Sequence, residues 1–322
     1  MTTRGTSTGQ RAVPSAGEEA VVAVPVATMW TSPGAVRPID APAVADLPDV
    51  RRWVASMTTK QLLDLGSRTL TQLLLGERVL VERIDGDWAR VVAVEQPCGK
   101  HDDRGYPGVV RLAHLAAPAA PARGRQVVVD ATATALCDEP NGDVVLPGVV
   151  IGTRLTVTGR PDRGWLPVSV PARDDALWVR AADVAPVPTG EPSAKDVLAV
   201  AERLIDVPYV WGGLSVYGID CSGLVHLAHR RLGVTVPRDA DDQAVVGEPV
   251  ELGAEQPGDL YFFARDGKVP HHVGLVAAAS TGAGEPRQML HASGQDSAGR
   301  VVNEPMTDDR SATLTEARRT LS

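Results

Sequence analysis

The sequence predicts an α+β protein in which two small antiparallel β domains precede a mixed domain of helices and strands. Three observations support this fold class. The chain upstream of residue 184 is rich in Val and Thr, it contains a weak internal repeat, and its character changes after a proline-rich segment at residues 184–192. Because prolines lack a backbone donor and resist both helix and sheet, we expect this segment to be a linker.

The composition limits the compartment and the partners of the protein. The polar N-terminal segment, residues 1–20, lacks the apolar run of a signal peptide, so we expect a disordered tail and a cytoplasmic protein. No apolar run approaches the length of a membrane span, so no membrane partner is expected. The formal net charge of -8 argues against a nucleic-acid partner, because such proteins usually carry a basic face. The oligomeric state stays unknown at this stage.

The internal repeat predicts two β domains, at residues 21–120 and 121–187. Each copy has a strand opened by Gly, a turn, a strand that carries a Trp (Trp88 or Trp165), and a short strand that ends in Val-Arg. Alternating apolar residues with short turns favour small antiparallel barrels, and the pattern resembles bacterial SH3-like domains. The alternative is two generic β domains. A helical insertion is expected within the first domain, between residues 40 and 75.

The third predicted domain, residues 188–322, begins with a helix. Ser193 and Asp196 have the spacing of an N-terminal helix cap. The apolar residues that follow are predicted to lie on one helical face: Val197, Ala201, Leu204 and Ile205.

A second helix of this domain places Cys221 in its first turn, with Asp220 as the cap. The positive end of the helix dipole favours the thiolate, and backbone N–H groups there can stabilise an oxyanion. A carboxylate beside a thiol disfavours the thiolate, so Asp220 makes more sense if it faces a substrate cation. The helix is predicted from apolar residues three or four positions apart: Leu224, Val225, Ala228 and Leu232.

A base for Cys221 is predicted on a downstream strand. His271 and His272 are adjacent there and point to opposite faces, so only one can face the cysteine, and spacing does not choose between them. His291, on a later apolar strand, could orient the imidazole as the third group of a triad. A thiol and an imidazole can carry this chemistry unaided, so no cofactor is expected. Cys98 and His101 lack a second pair at metal-ligand spacing, so no metal site is expected.

Six segments of this domain resemble the NlpC-type peptidoglycan endopeptidase family and occur in the family's order. They are residues 209–213 (YVWGG), 220–224 (DCSGL), 237–239 (PRD), 256–260 (QPGDL), 272–275 (HVGL) and 290–292 (LHA). The resemblance implies a papain-like cysteine peptidase with His272 as the base and His291 as the orienting residue. It also implies that Tyr209, Trp211 and Ser222 contact the substrate.

The N-terminal half resembles the subgroup of this family in which SH3-like domains precede the catalytic domain. The matching segments are residues 26–33, 71–77 and 105–109. The resemblance implies a γ-D-glutamyl-L-diamino acid endopeptidase of the dipeptidyl-peptidase VI type. Such enzymes cleave freed murein peptides with an unblocked N-terminal L-alanine, during cell-wall recycling. By motif position, Glu77, Tyr106 and Asp220 would surround the substrate ammonium.

Three alternatives stay open at this stage. The same hydrolase could be exported and act on intact peptidoglycan, which would require a signal and an open cleft. The chain could instead be a non-catalytic protein that binds cell-wall peptides through its β domains. It could also be an acyltransferase, which would pass the acyl group to an amine or alcohol rather than to water.

Overall fold

The computed structural model describes residues 13–120, 122–265, 267–278, 286–294 and 297–321. Most of the tail predicted for residues 1–20 lies outside these ranges. Glu19 and Ala20 already belong to the first strand, so the first β unit begins before the predicted boundary. Within the described ranges, no helix is both long and apolar enough to cross a membrane.

The first β unit is a seven-stranded antiparallel sheet with the strand order β3-β2-β6-β5-β4-β1-β7. Its strands are β1 (Glu19–Val22), β2 (Val26–Trp30), β3 (Thr69–Leu74), β4 (Arg78–Asp85), β5 (Trp88–Ala93), β6 (Tyr106–Arg111) and β7 (Leu115–Ala116).

The second β unit repeats this architecture with the strand order β10-β9-β13-β12-β11-β8-β14. Each strand number is seven higher than that of its counterpart in the first sheet. Its strands are β8 (Arg125–Val129), β9 (Ala133–Cys137), β10 (Val144–Val150), β11 (Arg154–Val157), β12 (Trp165–Ser169), β13 (Leu177–Arg180) and β14 (Val184–Pro186). The internal repeat is therefore confirmed at the level of topology. That these sheets are SH3-like barrels stays a prediction.

The Trp and Val-Arg positions of the repeat have the same role in both units. Trp88 pairs with Arg111 across β5 and β6, and the guanidinium lies 5.8 Å from the indole centroid. Trp165 pairs with Arg180 in the same way across β12 and β13, at 5.4 Å. An arginine over an indole is a favourable cation–π contact, which explains why both sequence copies retain the pair.

The predicted linker is partly wrong, because its first three residues form strand β14. This strand pairs with β8 at the edge of the second sheet. An edge strand tolerates proline because a missing N–H there costs no hydrogen bond within the ladder. Residues 187–193 have no regular structure and lead into the third domain.

The helical insertion of the first unit is confirmed and lies between β2 and β3. It contains α1 (Ala41–Val44), α2 (Val50–Ala55) and α3 (Thr59–Leu63). Asp49 caps α2 by accepting from the Arg52 N–H, and Thr58 with Gln61 forms a capping box at α3. The insertion shares one buried core with the third domain, through residues such as Trp53.

The described residues of the third domain form four helices, a six-stranded antiparallel sheet in the order β17-β22-β18-β19-β20-β21 and a β15-β16 hairpin. The helices are α4 (Ala194–Glu202), α5 (Cys221–Arg231), α6 (Ala240–Gln243) and α7 (Asp308–Ser311). The strands are β15 (Leu214–Ser215), β16 (Gly218–Ile219), β17 (Glu248–Val250), β18 (Leu260–Phe263), β19 (His272–Ala278), β20 (Gln288–Ala292), β21 (Val301–Pro305) and β22 (Leu314–Arg319).

The predicted start of α4 is confirmed by a capping box between Ser193 and Asp196. The helix is shorter than expected, because it ends at Glu202. Leu204 is still buried beyond this end, but Ile205 is 42% exposed, so its predicted place on the apolar helix face is wrong. Helix α5 packs on β19 and β20, which brings its first residue to the strands that carry the histidines.

Candidate active site

Cys221 is the first residue of α5, as predicted, and Asp220 is its N-cap. The Asp220 carboxylate accepts a hydrogen bond from the Gly223 N–H at 2.7 Å. The free backbone N–H groups of a helix start therefore surround the cysteine. Cys221 and the other two cysteines are free thiols.

The loop before Cys221 depends on two glycines. Gly212 has a φ of +74°, and a Cβ there would lie 3.0 Å from the backbone of Leu70 in the first β unit. A Cβ on Gly213 would lie only 2.4 Å from the carbonyl oxygen of Gly218. The Gly-Gly pair therefore lets the loop pass close to both the β15–β16 hairpin and the first unit.

The Cys221 thiol keeps its proton in the substrate-free protein. Burial, together with the negative charge of Asp220, raises the pKa of Cys221 to about 12. Backbone hydrogen bonds from Val273 and Ser222 oppose this rise without cancelling it. Because the thiolate is the nucleophile, the site needs a base close to the sulfur.

His272 is placed to be that base. It begins β19 and directly precedes Val273, whose backbone is a neighbour of the Cys221 thiol. Its Nε2 lies 2.8 Å from Nδ1 of His291 on β20, with the two rings nearly perpendicular. His271 precedes the strand and is exposed, whereas His272 is buried. That His272 is the base stays a prediction of the family resemblance.

Glu304 on β21 extends the pair into a relay, because its Oε1 lies 3.1 Å from Nε2 of His291. A carboxylate only accepts hydrogen bonds, so it assigns the proton of His291 to Nε2. Nδ1 of His291 then accepts from the Nε2–H of His272, which leaves Nδ1 of His272 unprotonated. Burial, together with the charges of His291 and Arg310, lowers the pKa of His272 well below its usual value. His272 is therefore a neutral acceptor at pH 7.

The Asp220 carboxylate is paired within the protein, and its role toward a substrate cation stays a prediction. Both of its oxygens accept from Arg238, at 2.9 Å each. Arg238 is fully buried and also donates to Thr71 of the first β unit and to the Gly213 carbonyl oxygen. The internal guanidinium therefore neutralises the charge for which the sequence suggested an external partner.

Glu77 is enclosed by the protein, and only 1% of the residue is exposed, so its predicted contact with a substrate ammonium stays untested. Its carboxylate accepts from the Leu74 N–H at 3.1 Å and from Gln96 at 3.0 Å, and it pairs with Arg230 at 3.3 Å. Burial raises its pKa. Arg230 lies near the end of α5, roughly 14 Å along the helix axis from Cys221. Glu77 therefore joins the first β unit to the far end of α5.

Tyr106 does reach the catalytic domain. Its hydroxyl donates to Oδ2 of Asp239 at 2.9 Å, and Asp239 follows Arg238 in the chain. Burial, together with the Asp239 charge, raises the pKa of Tyr106, so the phenol stays protonated and donates. Asp239 also pairs with Lys100. The first β unit thus contributes a phenol and an ammonium beside the Asp220–Arg238 pair.

The other three predicted contacts lie around the same loop. Trp211 is 46% exposed, and its ring packs over Gly66 of the helical insertion. Ser222 is buried, and its hydroxyl accepts from Arg238 at 3.0 Å, so this side chain belongs to the ion-pair network. Tyr209 is partly buried, just before the Gly-Gly pair. That Tyr209, Trp211 and Ser222 contact the substrate stays a prediction.

The match to a family model agrees with this geometry. Residues 206–317, which contain Cys221, His272 and His291, match the NlpC/P60 family. A γ-D-glutamyl-L-lysine dipeptidyl-peptidase of Bacillus subtilis is 34% identical over 270 residues, covering 83% of this chain and 87% of that protein. The chain belongs to the NlpC/P60 family. It is a cysteine peptidase with the papain-like domain that the motifs predicted.

Two further relatives of this NlpC/P60 peptidase extend over its N-terminal half. A protein of Bacillus cereus with the same name as the Bacillus subtilis relative is 32% identical over 271 residues, covering 80% of each chain. The crystal structure of an NlpC/P60 family protein from Bacillus cereus superposes with a TM-score of 0.83 at 30% identity. It covers 95% of this chain and 100% of its own. The similarity therefore includes both β units as well as the catalytic domain.

Three residues of the site were missed or given no role in the sequence analysis. Arg238 and Asp239 were visible in the PRD motif, but nothing in the sequence named Asp220 and Tyr106 as their partners. Glu304 is diagonal to His291, because Val302 is the residue directly opposite His291 in the β20–β21 register. Only the strand register reveals such a neighbour.

Proposed function

We propose that this peptidase hydrolyses the amide bond between γ-D-glutamate and the L-diamino acid of murein peptides that carry a free N-terminal L-alanine. We further propose that it does so in the cytoplasm, in the recycling of cell-wall peptides. The observation that carries the chemistry is the His272–His291–Glu304 relay, in which His272 directly precedes Val273, whose backbone contacts the Cys221 thiol. The names of the two Bacillus dipeptidyl-peptidases support the choice of bond.

The first half-reaction forms an acyl-enzyme. Nδ1 of His272 takes the Cys221 proton while the sulfur attacks the γ-carbonyl carbon of the D-glutamyl residue. Backbone N–H groups at the start of α5 stabilise the oxygen that becomes negative. The imidazolium then gives its proton to the leaving amine, and the C–N bond breaks.

The second half-reaction releases the dipeptide. His272 takes a proton from a water molecule, whose oxygen attacks the thioester carbon, and the C–S bond breaks. The proton returns to Cys221. Throughout both steps, the Glu304–His291 pair holds the imidazole of His272 in the tautomer that can accept at Nδ1.

Recognition of the free amine is assigned to the Tyr106–Asp239 pair. The hydrogen bond between these two residues joins the first β unit to the catalytic domain, and an ammonium would find a carboxylate oxygen there. We infer that the two β units are SH3-like barrels and that the first one closes the cleft on this side. A closed cleft favours short peptides over intact, cross-linked peptidoglycan.

The test is hydrolysis of L-Ala-γ-D-Glu-L-diaminopimelate and of its N-acetylated form by the wild type and by Cys221→Ala. Cleavage of the free-amine peptide alone, lost in the variant, is the expected result. Equal cleavage of both peptides would refute recognition of the amine and favour action on intact peptidoglycan. Cleavage of neither would favour a binding protein or an acyltransferase.

The relay is tested separately with Glu304→Gln. A glutamine amide can donate to Nε2 of His291, which allows His291 to carry its proton on Nδ1. Nδ1 of His291 then no longer accepts from Nε2 of His272. We expect kcat to fall roughly 10- to 100-fold at unchanged KM. Glu316→Gln is a matched control, because Glu316 on β22 is similarly exposed and pairs only with Arg318 in the described chain. An unchanged kcat in Glu304→Gln would remove Glu304 from the relay.

A further inference from the structure

We propose that Lys100 is a specificity-determining residue whose ammonium occupies the acidic site that the substrate's N-terminal ammonium must take. Free-amine peptides would then bind by displacing the Lys100 side chain. This inference rests on the proposed function, because it assumes that the amine is recognised beside Tyr106.

One carboxylate oxygen of Asp239 contacts both the Tyr106 phenol and the Lys100 ammonium. Oδ2 of Asp239 accepts from the Tyr106 hydroxyl at 2.9 Å and also lies 2.8 Å from Nζ of Lys100. The same Nζ lies 2.7 Å from Oδ1 of Asp241. An ammonium enclosed by two carboxylates, one of them shared with a phenol, is the arrangement that a peptide N-terminus would require. The chain's own lysine provides that ammonium in the substrate-free protein.

The cluster belongs to the catalytic region and not to a remote surface. Asp239 directly follows Arg238, the residue that holds the cap of the catalytic helix through Asp220. The backbone N–H of Arg238 donates to the carbonyl oxygen of Pro97, three residues before Lys100. The loop between β5 and β6 is thereby held against residues 237–241.

The Lys100 side chain is suited to exchange. It is about one-third exposed, with a long flexible stem, and its two carboxylate partners are each about one-fifth exposed. Burial works to lower the pKa of Lys100, but hydrogen bonds and charge from Asp239 and Asp241 outweigh it and raise the pKa. The lysine therefore stays charged, and partly exposed ion pairs of this kind are weak enough to be replaced by a second ammonium.

A competing role and a supporting role of Lys100 predict opposite effects of its removal on the binding of a free-amine peptide. If Lys100 competes with the substrate, its loss leaves two carboxylates without their ammonium, and a free-amine peptide binds more tightly. If Lys100 only holds Asp239 in position, its loss weakens binding. The sign of the change in KM therefore decides between the two roles.

The experiment compares kcat and KM of wild type, Lys100→Met and Lys100→Arg on the free-amine and N-acetylated peptides. We expect Lys100→Met to lower KM for the free-amine peptide up to about fivefold at unchanged kcat. The N-acetylated peptide should stay uncleaved by every variant, and Lys100→Arg should retain the wild-type KM for the free-amine peptide. Lys195→Met, at an exposed lysine on α4, is the control and should match the wild type.

An unchanged or higher KM for the free-amine peptide in Lys100→Met would overturn the inference while leaving the proposed function intact. Cleavage of the N-acetylated peptide by Lys100→Met would also overturn it, because the effect would then not depend on the amine. Equal cleavage of both peptides by the wild type would instead refute amine recognition itself, and with it the role of Lys100.

Discussion

The two β units share one strand order but contact the catalytic helix differently. The first unit contacts both ends of α5. Near the N-terminal end, Thr71 contacts Arg238 and Tyr106 contacts Asp239, and near the C-terminal end, Glu77 pairs with Arg230. The second unit reaches the C-terminal end, where Asp130 pairs with Arg231 and the Gly152 carbonyl oxygen accepts from Arg230. The same strand order therefore forms a wall of the active site in the first unit, whereas in the second unit it supports the C-terminal end of α5.

The contacts of the two units also differ in burial. Arg238, which connects the first unit to Asp220, is fully buried, whereas the Asp130 side chain of the second unit is 38% exposed. Because water screens the exposed ion pair, the two junctions should contribute unequally to stability. The helical insertion adds a contact of the first unit, because residues such as Trp53 lie in the core of the catalytic domain, which Val150 and Ile151 of the second unit also join.

The largest expected effect is that of Arg238→Met. The substitution leaves the Asp220 carboxylate buried without its counter-charge, and the free energy of unfolding should fall by about 3–5 kcal/mol. Chemical denaturation of the purified variant measures this change. Activity should fall as well, because Asp220 caps the helix that begins at Cys221.

A double variant separates the lost charge balance from lost packing. Asp220→Asn combined with Arg238→Met removes both charges, while the Asn side chain can still cap the helix. Its unfolding free energy should recover part of the loss of the single variant. A double variant less stable than Arg238→Met would show that the uncompensated carboxylate is not the cause.

Thr71→Val should have a smaller effect at the same junction. The hydroxyl accepts from Nε of Arg238 at 2.8 Å and donates to Oε1 of Gln96 at 2.7 Å. Valine has the same shape but leaves both groups unpaired, which should lower the free energy of unfolding by about 1–3 kcal/mol. Chemical denaturation and peptide hydrolysis measure the effects on stability and on the site.

The second unit offers a matched control in Thr153→Val. Thr153 is fully buried, and its hydroxyl has no hydrogen-bond partner among the residues that the structure describes. Valine should therefore be neutral or slightly stabilising there. Equal losses at Thr71 and Thr153 would contradict the idea that the first junction depends on its hydrogen bonds.

Local sequence patterns were sufficient for much of the fold. The caps at Ser193 and Asp220 and the Trp and Val-Arg positions depend on residues close in sequence or on repetition, and the structure confirms them. The end of α4 was wrong because apolar spacing continues past the last helical hydrogen bonds. Strand β14 was missed because an edge position, which tolerates proline, is visible only in the assembled sheet.

In the candidate site, the sequence predicted individual residues but not the partners that they contact in the fold. Cys221 could be singled out because a helix start and a Gly-rich loop are local features, whereas the choice of His272 over His271 came from the family resemblance. The roles of Glu77 and Asp220 depended on which arginine each carboxylate meets. Arg230 is far from Glu77 in the chain, and only the docking of the first unit on α5 brings them together.

The smallest expected effect is that of Asp130→Asn, at the junction of the second unit. Burial works to raise the pKa of Asp130, but hydrogen bonds from Arg203 and Arg231 lower it below its usual value. A carboxyl with a depressed folded-state pKa stabilises the protein above its unfolded-state pKa of about 3.9 and loses that contribution as the pH falls through the folded-state value. Solvent screening limits the contribution at pH 7 to at most about 1 kcal/mol.

Denaturation of wild type and Asp130→Asn across pH 7 to 3 measures this contribution. The variant should be slightly less stable at pH 7, and the two curves should converge at the acid end, where the wild-type carboxyl is protonated. Its kcat and KM should equal those of the wild type, because Asp130 contacts the end of α5 opposite to Cys221. A lower kcat would mean that the second unit also shapes the catalytic site, and the contrast between the two units would then fail.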